Sequence, residues 1–127
     1  MGVDDFRDLQ CWQLANELKN AVYAFTSAPV LLKDGSFCDD IRRSSRSASA
    51  NIAEGFGRQT HREFAHVLSI ARASLMETEN HLEHALACGY ITDAEYSRLR
   101  TLALSGRKTM ARLHSYLTGR PRRRPAP

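Results

Sequence analysis

No acidic residue follows Glu95, although nine basic ones do: Arg98, Arg100, Arg107, Lys108, Arg112, Arg120, Arg122, Arg123 and Arg124. The chain holds 18 Lys and Arg against 14 Asp and Glu, so its net +4 conceals 9 − 14 = −5 over residues 1–95 and +9 beyond them. No window approaches the roughly 18 apolar residues of a membrane span. The opening MGVDDFRDLQ is acidic where a secretory leader is basic and then apolar. A cytoplasmic protein with no membrane partner is expected. Paired cysteines are also lacking: Cys11, Cys38 and Cys88 are odd in number, widely spaced and without a C-x-x-C. That pattern argues against a disulfide framework or a zinc site and leaves three buried thiols as the expectation.

What is present is helical periodicity, within a length of 127 residues that suits one domain. Cys11, Leu14, Leu18, Val22 and Phe25 make one face of a helix expected over Phe6–Ser27, with Asp4, Asp5 and Asp8 at its positive end. Leu9 and Trp12 lie beside that face. A stripe so wide exceeds what one small bundle covers, so these two residues are the candidates for an oligomer interface. Val30, Leu31 and Leu32 should fold back over the core between this helix and the next.

A second helix, capped by Ser36 with Asp39 in the reciprocal position, should reach Phe56. The small residues Ser44, Ser45, Ser47, Ala48, Ser49, Ala50 and Ala53 let a neighbouring backbone approach it closely. Gly55 and Gly57 read as a left-handed cap, and Thr60 with Glu63 as the box that restarts a helix. The third helix, His61–Cys88, carries Phe64, Leu68, Ala71, Leu75, Thr78, Leu82 and Ala85 at alternating spacings of four and three, a heptad seam. Gly89 ends it and a Thr92/Glu95 box opens the fourth, whose seam is Tyr96, Leu99, Ala103, Gly106, Met110, Leu113 and Leu117. Gly106 on that seam implies a close neighbour. The expectation is an all-α, up-down-up-down antiparallel four-helix bundle over residues 1–118. A disordered Arg/Pro tail should close the chain over 119–127, where RPRRRPAP follows Gly119.

No motif for catalysis emerges. Glu77, His81 and His84 share a face, and Glu63 with His66 spells a Glu-x-x-His, but di-iron bundles need two such motifs on separate helices. The serines lack a G-x-S-x-G context, and G-F-G-R follows no strand. Glu54, Glu77 and Glu79 are expected in ion pairs with arginines such as Arg42, Arg58 and Arg72. No cofactor, metal or catalytic residue is therefore assigned. Arginine supplies 15 of the 18 cationic side chains, and its planar fork suits phosphate and carboxylate. The candidate nucleic-acid contacts are Arg42, Arg43 and Arg46 on helix two, Arg107, Lys108 and Arg112 on helix four, and Arg120, Arg122, Arg123 and Arg124 in the tail. The plain alternative for the helix-two group is a solvated face paired with Asp39, Asp40 or another helix.

The run SASANIAEGFGR, then REF and IARASLMETENHLEHALACGYI, together with the opening FRDLQCWQLANEL, resembles the four-helix proteins encoded in intervening sequences of bacterial large-subunit ribosomal RNA genes. The likeness covers about residues 6–117, with Asn51-Ile52-Ala53-Glu54-Gly55 its most specific part. That family is similar in turn to accessory proteins of diversity-generating retroelements, which form homopentameric barrels and bind a reverse transcriptase and nucleic acid. The resemblance implies a four-helix bundle, a homopentamer and no known catalytic activity. The basic patches, multiplied in a ring, make a non-enzymatic protein with RNA or DNA as partner the leading expectation, and an unidentified protein is the other candidate partner. A protein–protein adaptor is the alternative function, and a metal-dependent enzyme is a distant third.

Overall fold

The computed structural model describes residues 2–120, and four helices account for most of them: α1 (Gln10–Thr26), α2 (Gly35–Phe56), α3 (His61–Ala87) and α4 (Asp93–Thr118). They run alternately up and down. Each helix packs on its two neighbours around a square, α1 on α2 and α4, and α3 on the same two, so α2 and α4 are diagonal. Their solvent faces therefore point to opposite sides. The whole α3 seam is buried, from Phe64 to Ala85, as are Leu99, Ala103, Gly106, Met110 and Leu117 of α4.

The serine-rich stretch performs the role its size suggests. Ser44, Ser45, Ala48 and Ser49 are buried. Ser44 shares a hydrogen bond of 2.8 Å with Thr78 across the α2–α3 contact, and Ser47 one of 2.9 Å with Ser74. Gly106 likewise marks a close approach, since a Cβ there would lie 3.2 Å from Leu75 Cδ2 and 3.9 Å from Leu14 Cβ.

Several local expectations are corrected. Helix one does not begin at Phe6: a short 3-10 turn spans Phe6–Asp8, capped by the Asp5 carboxylate accepting from Arg7 N at 2.9 Å. Leu9 is extended and breaks the helical phase, which drops its side chain into the core. Helix two is capped by Asp34, not Ser36, because the Asp34 carboxylate accepts from both Phe37 N (3.3 Å) and the Tyr90 hydroxyl (2.5 Å). Neither Gly55 nor Gly57 is left-handed. Gly55 lies inside α2, where a Cβ would come within 2.7 Å of the Phe64 ring, and Gly57 closes the helix at φ −79°. Gly89, at φ +72°, is the left-handed residue that ends α3, with Tyr90 N donating to Ala85 O at 2.9 Å. Of the three apolar residues after Pro29 only Leu31 is buried, while Val30 and Leu32 face solvent. Only Cys11 is a fully buried thiol, its pKa pushed up to about 11 by burial; Cys38 is half-buried and Cys88 exposed.

The Asp34–Tyr90 bond ties the head of α2 to the turn between α3 and α4, and it leaves a titration signature. The hydrogen bond raises the Tyr90 pKa to about 12, and the same bond holds the Asp34 carboxyl below its ordinary value. Tyr90's contribution is complete below its unfolded value near 10 and fades as pH rises through about 12. Asp34's contribution is present above the unfolded aspartate value and is lost as pH falls through its lowered one. In ultraviolet titration, Asp34→Asn should shift one tyrosine toward ordinary ionisation and lower the melting temperature. An unchanged tyrosine profile would show that the bond does not form in solution.

Candidate nucleic-acid interface

The helix-two arginines are brought together, but mostly as structural groups. Arg42 donates from Nε to Thr26 Oγ1 at 2.8 Å and from Nη2 to Ser27 Oγ at 3.2 Å, with its guanidinium carbon 4.7 Å from the Tyr23 ring centre. It therefore sits at the negative end of the α1 dipole and closes that helix. Arg43 pairs with Glu77 across the α2–α3 contact, and this bond lowers the Glu77 pKa and raises that of Arg43. Arg46 donates to the Tyr23 hydroxyl at 2.8 Å. A shallow depression is lined by Tyr23, Asp39, Asp40 and these three arginines. With Glu77 included, three carboxylates face three guanidiniums. The patch is close to neutral and offers phosphate little net attraction.

Helix four divides differently. Arg107 turns inward and grips Glu79 with two hydrogen bonds, Nε to Oε2 at 2.5 Å and Nη2 to Oε1 at 3.2 Å, the two side chains being only 23% and 16% exposed. Lys108, Arg112 and Arg120 are exposed, and none forms an ion pair among the described residues. Arg122, Arg123 and Arg124, with most of the expected tail, lie outside the described residues. Open cations thus run along α4, from Arg98 and Arg100 near its start to Lys108, Arg112 and Arg120 at its C-terminal end, and Arg62 and Arg72 of α3 are exposed as well.

The carboxylates raised in connection with catalysis are engaged elsewhere. Glu54 pairs with Arg58 at 2.6 Å, Glu77 with Arg43 and Glu79 with Arg107. His81 lies 3.3 Å from Glu77, and His84 Nε2 lies 3.4 Å from Cys88 Sγ. Among the described residues no three His, Cys, Asp or Glu side chains converge as a metal cage would require.

The residues proposed for self-association on helix one are largely used within the chain. Leu9 is 7% exposed, and Trp12 is half-buried against the edge of Phe6, with ring centres 5.2 Å apart. Exposed aliphatic side chains lie on α3, at Ile70 and Met76 on either side of Ala73, and in the connection between α1 and α2, at Val30 and Leu32. Sequence reasoning does not single out Tyr116 either. It is exposed on α4, four residues beyond Arg112, and that i, i+4 spacing was its only signal.

Residues 7–111 match the family model of the 23S rRNA-intervening sequence protein. The chain belongs to this family. A crystal structure of a protein of unknown function from the S23 ribosomal protein family of Bacteroides thetaiotaomicron VPI-5482 is similar, with a TM-score of 0.74 and 25% identity, over 82% of this chain and 97% of that one. No curated protein matches. The family match ends at Ala111, so Arg112, Tyr116 and Arg120 lie just past it.

Proposed function

We propose that this intervening-sequence family member is a non-enzymatic, cytoplasmic, ring-forming four-helix protein that binds nucleic acid through the outer face and C-terminal end of α4. The observation that carries the reading is the group Lys108, Arg112 and Arg120: exposed, without an ion-pair partner among the described residues, and on a stretch with no acidic residue after Glu95. Binding by such cations releases counterions. The affinity of the full chain for duplex DNA should fall linearly on a log–log plot against salt, with a slope of about −0.9 for each phosphate engaged. A flat response would favour the adaptor reading, for which the exposed Val30 and the 79% exposed Leu32, at the opposite end of the bundle from Arg120, supply an apolar surface.

Assembly is supported by the outside of α3. His66, Ser69, Ala73, Met76 and Asn80 repeat at spacings of three and four, with Ile70 beside them, a second seam facing solvent and nearly free of charge. The resemblance to retroelement accessory proteins, which form homopentameric barrels, favours five copies over other closed rings. Light scattering should give five times the 14.3 kDa of one chain, and Ala73→Glu should reduce it to a single copy. A wild-type monomer at micromolar concentration would overturn the assembly.

A further inference from the structure

Tyr116 is the one Phe, Trp or Tyr side chain that is exposed among the described residues, at 54%. It is not isolated. Lys108, Arg112 and Tyr116 occupy one i, i+4, i+8 row on α4, rising about 6 Å per step. Arg120 follows immediately after the left-handed turn at Gly119. The Tyr116 ring is backed by the His61 ring, 5.7 Å away between centres and inclined at 50°, at the first residue of α3. The positive end of the α3 dipole thus adds to the field of the neighbouring cations. An open aromatic face between cations does little for a duplex, whose bases are already stacked on one another. For a single strand it offers a surface on which an unpaired base can rest while the backbone is held on either side.

We propose that Tyr116, supported by His61, is a base-stacking platform that makes this protein prefer single-stranded nucleic acid, with phosphates held by Lys108 and Arg112 before it and Arg120 after it. The proposal rests on the nucleic-acid reading above and adds to it a substrate class and two residues. The cations supply attraction common to both strand forms, and the ring supplies the difference.

The test uses the full chain with a fluorescein-labelled oligothymidylate and a duplex of the same length, followed by anisotropy. Tyr116→Ala should weaken single-strand binding by about tenfold while leaving duplex binding and both salt slopes unchanged, because no charge is lost. Tyr116→Phe keeps the ring and should bind as the parent does. Because Tyr116 is outside the core, circular dichroism of all variants should match. If the parent binds and Tyr116→Ala binds the single strand equally well, the platform is refuted and the nucleic-acid reading stands. If the parent binds neither probe at low salt, the reading itself fails and takes the platform with it.

Discussion

Replacing Ser44 with leucine is expected to cost about 3 kcal/mol or more, the largest effect on stability of any substitution considered. Ser44 is fully buried where α2 meets α3, and its hydroxyl lies 2.8 Å from Thr78 Oγ1 and 3.2 Å from Ile41 O. A leucine there must push the two helices apart or force its neighbours off their rotamers, which in a close-packed interior costs about 1–3 kcal/mol and sometimes more. The lost hydrogen bond adds about 1 kcal/mol. Ser44→Ala isolates that second part, because it preserves the close approach and Thr78 still donates to Ser74 O at 3.0 Å. Urea unfolding should therefore rank the parent, alanine and leucine forms in that order, with the larger gap before leucine. If leucine were as stable as alanine, small size at this position would have no structural purpose.

The second large effect concerns binding. Lys108→Gln combined with Arg112→Gln should lower nucleic-acid affinity by about tenfold or more near physiological salt and reduce the duplex salt slope by about 2. Arg43→Gln should change affinity less than twofold, because Arg43 already faces Glu77 and sits among carboxylates. Both variants remove surface charge, so neither should unfold the protein. The contrast carries the information. Equal losses from the two faces would mean that binding follows overall charge, and a loss confined to Arg43 would move the interface to α2.

This division between the two faces was only half legible in the sequence. Seams were plain, because Phe64 through Ala85 repeat every 3.5 residues and every one is buried. The Thr92/Glu95 box formed as expected, with bonds of 3.1 and 3.0 Å. Local chemistry was sufficient at those points. It was not sufficient where a distant residue decides between equivalent local choices. Asp34 and Ser36 are both competent caps, and Tyr90, 56 residues away, selects Asp34. Gly55 has the look of a terminus, yet the Phe64 ring from the next helix is what requires a missing Cβ. The arginines follow the same rule. Their charge is visible in the sequence, but whether a guanidinium is spent depends on carboxylates from another helix, Glu77 for Arg43 and Glu79 for Arg107. Lys108 and Arg112 are left available because no such carboxylate reaches them among the described residues.

Photo-cross-linking of the full chain to a 4-thiouridine single strand, with the attached peptides mapped by mass spectrometry, tests the central claim most directly. Cross-links should concentrate on the segment from Lys108 onward and diminish as salt is raised. Cross-links concentrated instead around Arg42, Arg43 and Arg46, or unaffected by salt, would contradict an interface on helix four.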